Sequence, residues 1–292
     1  MIVNQQSISG LYNAFNAVFR KAFDAAKPEY EIFVMPVSSK TEKETYPWLG
    51  QLPSMREWVG ERVVKGISAH AFTIINKDYE STISLPRNAV DDNTYGMFNT
   101  VVQDLAYNAA QHPGMLVLEL LSQAWTTTCY DGQYMVDTDH PVGEDSVSNN
   151  GGGSGTPWFL MDLSRPLKPI ILQKRQTPRF VALDKETDKN VFFSKELIYG
   201  VDDRKNVGWG MWQLVYGSKQ TLDADSYFAA KVAMRNFANE EGKKLGIKPT
   251  HLVVPGELES TAKDLIKIER LASGATNKWY NDTNLLVVDI SV

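Results

Sequence analysis

Asp137-Thr138-Asp139-His140 is the densest grouping of residues that could hold a metal or move a proton. Two carboxylates and an imidazole suit a divalent ion, and a metal-dependent hydrolase could be built on Asp137, Asp139 and His140. The chain has four histidines and no spaced second pair to complete such a site. Pro141 follows at once, so the plainer reading is a closed turn with Asp capping local backbone donors. Cys129 could serve as a nucleophile, but a lone cysteine beside an apolar helix is more often a small core residue. As the only cysteine it also excludes an intrachain disulfide and a multi-cysteine zinc site. His251 precedes a buried-type strand and reads as structural. Gly208-Trp209-Gly210 lacks the third glycine of a dinucleotide fingerprint, Gly217-Ser218-Lys219 is no phosphate loop, and no G-x-S-x-G elbow occurs. No catalytic residue, metal or cofactor is expected.

The elements that would position these residues are legible from periodicity. Ile8, Leu11, Tyr12, Phe15, Val18, Phe19, Ala22 and Phe23 follow helical spacing, with Ser7 as the expected cap and Pro28 as the stop. Phe98, Val101, Val102, Leu105 and Ala109 make a second stripe, and Met115, Leu118, Leu121, Ala124 and Trp125 a third. Pro113 lies between them, and an interior proline costs about 3 kcal/mol, so a kink or restart is expected there. Strands are expected at 62–67, 69–75 and 81–85. The run Asn149 to Gly155 reads as a flexible loop and the best internal boundary. Beyond it, 158–163, 169–173, 191–199 and 210–216 read as β structure. An α/β portion closes the chain, with helices over 223–239 and 257–272 and strands at 252–254 and 285–290.

Composition bounds the rest. The 292 residues are 43% hydrophobic and 11% aromatic with seven Trp, enough for a real core and large contact surfaces. A formal charge of −5 argues against a dedicated nucleic-acid binder. No run of eighteen apolar residues spans a membrane, and the first residues are no secretory signal. Lys168, Lys174, Arg175 and Arg179 form the densest basic stretch and read as a solvated strand face.

The most informative segment is Tyr46-Pro47-Trp48-Leu49-Gly50-Gln51-Leu52-Pro53 with Glu57-Trp58-Val59-Gly60-Glu61-Arg62. Turn formers exclude a regular element, yet the indoles need burial, which an irregular excursion often finds on another chain. Together with Cys129-Tyr130-Asp131-Gly132 and His140-Pro141, Tyr199 to Arg204, and Lys248 to Pro255, this segment resembles the Mu-like prophage major head subunit family. The motifs fall in the expected order and span most of the chain.

The resemblance implies an α+β, Hong Kong 97-type tailed-phage capsid fold. It implies an N-terminal arm (1–36), an extended loop with flanking strands (37–88), a peripheral-domain spine helix (89–128) and a loop-rich connection (129–156). A β-rich peripheral segment (157–220) and an axial α/β domain (221–292) would follow. The chain would be a major capsid protein forming pentamers and hexamers of an icosahedral shell around double-stranded DNA. Trp48, Gly50, Trp58, Gly60, Arg62, Asp202, Asp203 and Arg204 are the candidate assembly-interface residues. The sequence carries no long charged extension that would serve as a built-in scaffold, so a separate scaffold is expected, with a maturation protease, a portal and decoration proteins. The place would be the virion capsid, after assembly in the host cytoplasm. A cellular nanocompartment shell of the same fold is the neighbouring alternative.

Overall fold

The computed structural model describes residues 5–26, 28–49, 72–92 and 94–290. In chain order the elements begin with helix α1 (Gln5–Ala25), strands β1 (Val34–Ser38), β2 (Lys43–Tyr46), β3 (Phe72–Ile75) and β4 (Lys77–Pro86), and helices α2 (Arg87–Asp91) and α3 (Asn99–Ser122). Strands β5 (His140–Val142), β6 (Asp145–Val147), β7 (Asn150–Gly153), β8 (Trp158–Met161) and β9 (Ile170–Leu183) follow, then α4 (Lys189–Ser194) and β10 (Glu196–Trp209). The chain closes with β11 (Val215–Lys219), α5 (Ala224–Asn236), β12 (His251–Val254), α6 (Glu259–Ile266) and β13 (Asn284–Val287).

Two sheets organise these elements. One has four strands in the order β1-β9-β10-β4, the other five in the order β13-β12-β8-β11-β7. The 157–220 segment, expected as one peripheral block, is divided between them: β8 and β11 join the C-terminal strands, while β9 and β10 form the centre of the other sheet. Two hydrophobic cores result. Leu11, Phe15, Phe19, Leu85, Val102, Leu105, Phe180, Leu197 and Tyr199 pack in one. The other holds Val117, Leu121, Trp158, Ile170 to Leu172, Trp209, Trp212 and the β12 valines.

Helix α3 enters both cores, with Val102 and Leu105 in the first and Val117 and Leu121 in the second. It runs through Pro113 as a single 24-residue helix, so the proline neither stops nor restarts it. A missing N–H is tolerable here because burial along both ends of the rod outweighs one lost turn bond. The apolar face of α1 is covered by α3 and the four-stranded sheet of its own chain: Phe15 meets Tyr199 edge-on and Phe19 packs on Phe180. Ser7 lies inside α1 rather than at its cap.

Three further expectations are corrected. Val191 to Ser194 is helical, because Asp188 accepts from Lys185 N and opens a turn that closes the β9–β10 connection. The C-terminal helix is shorter than expected, ending at Ile266. The glycine run is no free loop: Asn150–Gly153 pairs in parallel with β11 at the sheet edge. Gly153 has φ +88, and a Cβ there would stand 2.4 Å from the Lys219 carbonyl. Only glycine permits that approach.

Candidate functional site

The excursion that leaves the four-stranded sheet after β1 returns through β4. Its described part is the ribbon β2–β3, paired from Lys43↔Ile75 to Tyr46↔Phe72. A buried polar network holds its base. Tyr46 Oη donates to Gln173 Oε1 at 2.7 Å, and Gln173 Nε2 donates to Asn76 Oδ1 at 2.8 Å and to Ile74 O at 3.2 Å. Asn76 Nδ2 in turn donates to Ser39 Oγ and Thr41 O, both at 2.9 Å. Burial, then the nearby Glu44 charge, pushes the Tyr46 phenol up to about 12, so it stays a donor. Such a satisfied network fixes one geometry for the base of the ribbon. Sequence reading missed Gln173, though a polar residue directly after Ile170-Ile171-Leu172 in a buried strand was the available signal.

Trp48 is half-buried, packed against the core and edge-on to Tyr46 at 6.0 Å. Its indole therefore finds part of its burial within the chain. Gly50, Trp58, Gly60 and Arg62 lie outside the described residues.

Asp202-Asp203-Arg204 does not form a hairpin turn; it lies within β10, facing an irregular stretch of β9. Between Arg179 and Lys174, β9 carries extra residues relative to β10, and Pro178 falls in that bulged stretch, where a missing ladder donor is tolerated. Side chains alternate across the sheet. Asp202 is gripped by Arg179 through Nε–Oδ1 and Nη2–Oδ2 contacts of 2.8 Å each, and that bidentate pairing lowers its pKa. Asp203 is buried and pairs with Lys205, and burial lowers the lysine's pKa. Arg204 Nε lies 3.2 Å from Asp78 on β4.

The grouping Asp137-Asp139-His140 is not what the fold assembles. Asp139 is exposed, and Asp137 accepts backbone bonds from Tyr134 and Thr138. His140 is fully buried and faces Asp131 instead, with Nδ1–Oδ2 at 2.7 Å. Asn149 Nδ2 donates to the carbonyls of Met135 and Val215, which turns its Oδ1 toward His140 Nε2 at 3.2 Å. The ring stacks on Trp212 with centroids 4.1 Å apart. Cys129 Sγ donates to Asp131 Oδ1 at 2.9 Å.

Burial opposes ionisation of Asp131, but the bonds from His140 and Cys129 outweigh it and its pKa is lowered. Burial, then the neighbouring Asp131, drives the Cys129 thiol well up, the reverse of a reactive thiolate. Among the described residues Cys129, Asp131 and His140 form the one trio with ligand atoms mutually within 4.8 Å. Each member of the trio is engaged in hydrogen bonds within the chain, and through Asn149 these tie the connection after α3 to the five-stranded sheet. His251 is half-buried and bonded to Thr250 Oγ1.

The comparisons with known proteins fit an assembly role. The family model described as Mu-like prophage major head subunit gpT matches residues 8–290. The major capsid protein of Escherichia phage Mu is 36% identical over 99% of both chains. The Mu-like prophage FluMu major head subunit of Haemophilus influenzae is also 36% identical, over 98% of this chain and 97% of its own. Among solved structures, a chain from the procapsid of bacteriophage JBD30 superposes with a TM-score of 0.90 at 38% identity, covering 99% of this chain and all of that one. A chain of the JBD30 capsid gives 0.78 at 28% identity over 99% of each. No helix among the described residues is long and apolar enough to cross a membrane. The chain belongs to the Mu-like prophage major head subunit family: it is a tailed-phage major capsid protein with the phage capsid fold, a structural protein rather than an enzyme.

Proposed function

We propose that copies of this chain close into pentamers and hexamers that tile an icosahedral shell around double-stranded DNA. The observation that supports this most is the whole-chain likeness to the JBD30 procapsid chain, at a TM-score of 0.90. Rings of this kind use heterologous contacts, in which a projecting part of one copy meets a different surface of the next. The ribbon β2–β3, clamped at its base by the Tyr46–Gln173–Asn76 network, is well built to carry such a projection. In this reading residues 1–36 form the arm, 37–88 the extended loop, 89–128 the spine, and the five-stranded sheet with α5 and α6 the axial unit. The apolar face of α1 is occupied within the chain, which leaves its polar face, with Arg20 and Lys21, for any neighbour.

Trp48, Gly50, Trp58, Gly60 and Arg62 would make the loop contacts between copies, and Asp202, Asp203 and Arg204 would add polar assembly contacts from the sheet. The net charge of −5 keeps contact with packaged DNA non-specific. Scaffold, maturation protease, portal and decoration proteins would act from separate chains, with assembly in the host cytoplasm. Maturation would shift packed units between alternative arrangements. The test is electron microscopy of the purified chain with and without its genomic neighbours. Rings, tubes or closed shells are expected from the unmodified chain. Trp58→Ala should leave a soluble, folded subunit that forms none, and normal shells from that variant would remove Trp58 from the assembly surface.

A further inference from the structure

A hollow of about 320 Å³ opens where α3 crosses β4 and β10. Its walls are Tyr79, Ala109, His112, Met115 and Val201, and Asp203 lies among its lining residues. The site described above leaves three of its features unused. Met115 sits in the apolar stripe of α3, yet 66% of its surface is exposed at the rim. Asp203 is only 6% exposed and one of its oxygens pairs with Lys205, but Oδ1 has no hydrogen-bond partner among the described residues. An unmade bond of that kind is costly and rare in a native interior.

The third feature is charge: Glu119, one turn beyond Met115 on α3, and Asp203 both act on Tyr79, raising the phenol's pKa after burial itself. Against these carboxylates stands Lys205, already engaged with Asp203, with Lys174 next to it across the strand pair. His112 is edge-on to Tyr79 at 4.4 Å, and burial followed by Lys205 lowers its pKa, which favours the neutral ring. The result is an apolar sleeve with the Asp203 carboxylate in its lining and the exposed Glu119 carboxylate beside it. That is the complement of a long alkyl stem ending in a cation.

We propose that this hollow receives a lysine or arginine side chain of a second copy of this chain, whose head group supplies the missing donor to Asp203 Oδ1. The inference rests on the shell reading above. In a shell of one repeated chain, lateral contacts are made with other copies, and heterologous contacts pair a projecting group on one face with a hollow on another. Charge complementarity selects a basic projection.

The experiment places a photo-crosslinking benzoylphenylalanine at Met115 of the full chain and irradiates assembled particles. Mass spectrometry should find crosslinks to a Lys- or Arg-bearing segment of another copy, in particles and not in dilute subunits. Two variants accompany it: Ala109→Trp fills the sleeve, and Met115→Lys, at an exposed position that folding does not need, sets a like charge at the mouth. Both should lower particle yield about tenfold or more, with unchanged circular dichroism of the subunit. Crosslinks confined to one chain, crosslinks to a co-expressed scaffold in place of a second copy, or wild-type yields from both variants would overturn the proposal. If the unmodified chain formed no rings or shells under any condition, the shell reading itself would fail, and the docking proposal with it.

Discussion

Replacing His140 by Ala tests whether the Cys129–Asp131–His140 trio is a structural clamp. The imidazole is fully buried and the Asp131 side chain is 4% exposed, so the carboxylate cannot turn to water when its partner goes. Leaving a buried carboxylate without one of its hydrogen-bond partners costs about 3 kcal/mol or more, above the range for a neutral group. Cys129 Sγ and Gln133 N remain as donors to Asp131 Oδ1, which places this case near the lower end. The lost stack on Trp212 adds about 0.5–1.5 kcal/mol. The expected total is about 4 kcal/mol, a fall in melting temperature of roughly 8 °C for a chain of this size.

Equilibrium urea unfolding of the soluble subunit reads the first quantity, and Trp212 beneath the ring gives a local fluorescence signal. Asp139→Asn is the control: its side chain is exposed, so it should stay within about 0.5 kcal/mol of the parent. Asp131→Asn combined with His140→Ala should cost less than the two changes summed, because no buried charge is left alone. The pH dependence has a definite sign. The folded pKa of Asp131 is depressed below its ordinary 3.8, so its contribution is complete above that value and fades as pH falls through the folded pKa. A loss under about 1 kcal/mol for His140→Ala, the size of an exposed pair, or an equal loss for Asp139→Asn, would refute the clamp.

Two further changes probe the frame around the proposed assembly surfaces. Tyr46→Phe removes the donor to Gln173 Oε1 in a buried network and should destabilise the subunit by about 1–3 kcal/mol in urea unfolding, with limited proteolysis cutting faster between residues 38 and 77. Gly153→Ala forces a Cβ to within 2.4 Å of Lys219 backbone atoms at φ +88. It should cost about 1–3 kcal/mol from conformation alone, and hydrogen exchange should show faster opening at β11, while a cost near zero would mean the edge strand adjusts freely.

Much of this fold could be read from the chain because local period and burial agree. The stripe from Leu11 to Phe19 became α1 and faces a core, and Leu252 to Val254 became a strand buried on both faces. Errors arose where long-range contact overrode local chemistry. Asn150–Gly153 has the composition of a linker, yet glycine is what lets β7 lie against β11, so the same residues serve the opposite purpose. Pro113 punctuates the sequence of α3, yet the helix continues because each half is buried in a different core. Neither outcome is available to a reading that knows only neighbours along the chain.

The partner of His140 shows the same limit at the scale of a single site. Asp137 and Asp139 stand within three residues of it, and proximity in sequence made them its apparent companions. Residues two apart in extended chain point to the same side and odd neighbours to the other, so adjacency alone never guaranteed convergence. The carboxylate that does meet the ring is nine positions away, across the turn that opens at Cys129, and Asn149 closes the other nitrogen from nine positions on. The useful signal was the pairing of two motifs, Cys129 to Gly132 with His140-Pro141. A histidine kept beside a buried aspartate and stacked on Trp212 serves to hold the chain in place, and in a shell subunit rigidity of that kind is what lets an interface be specified at all.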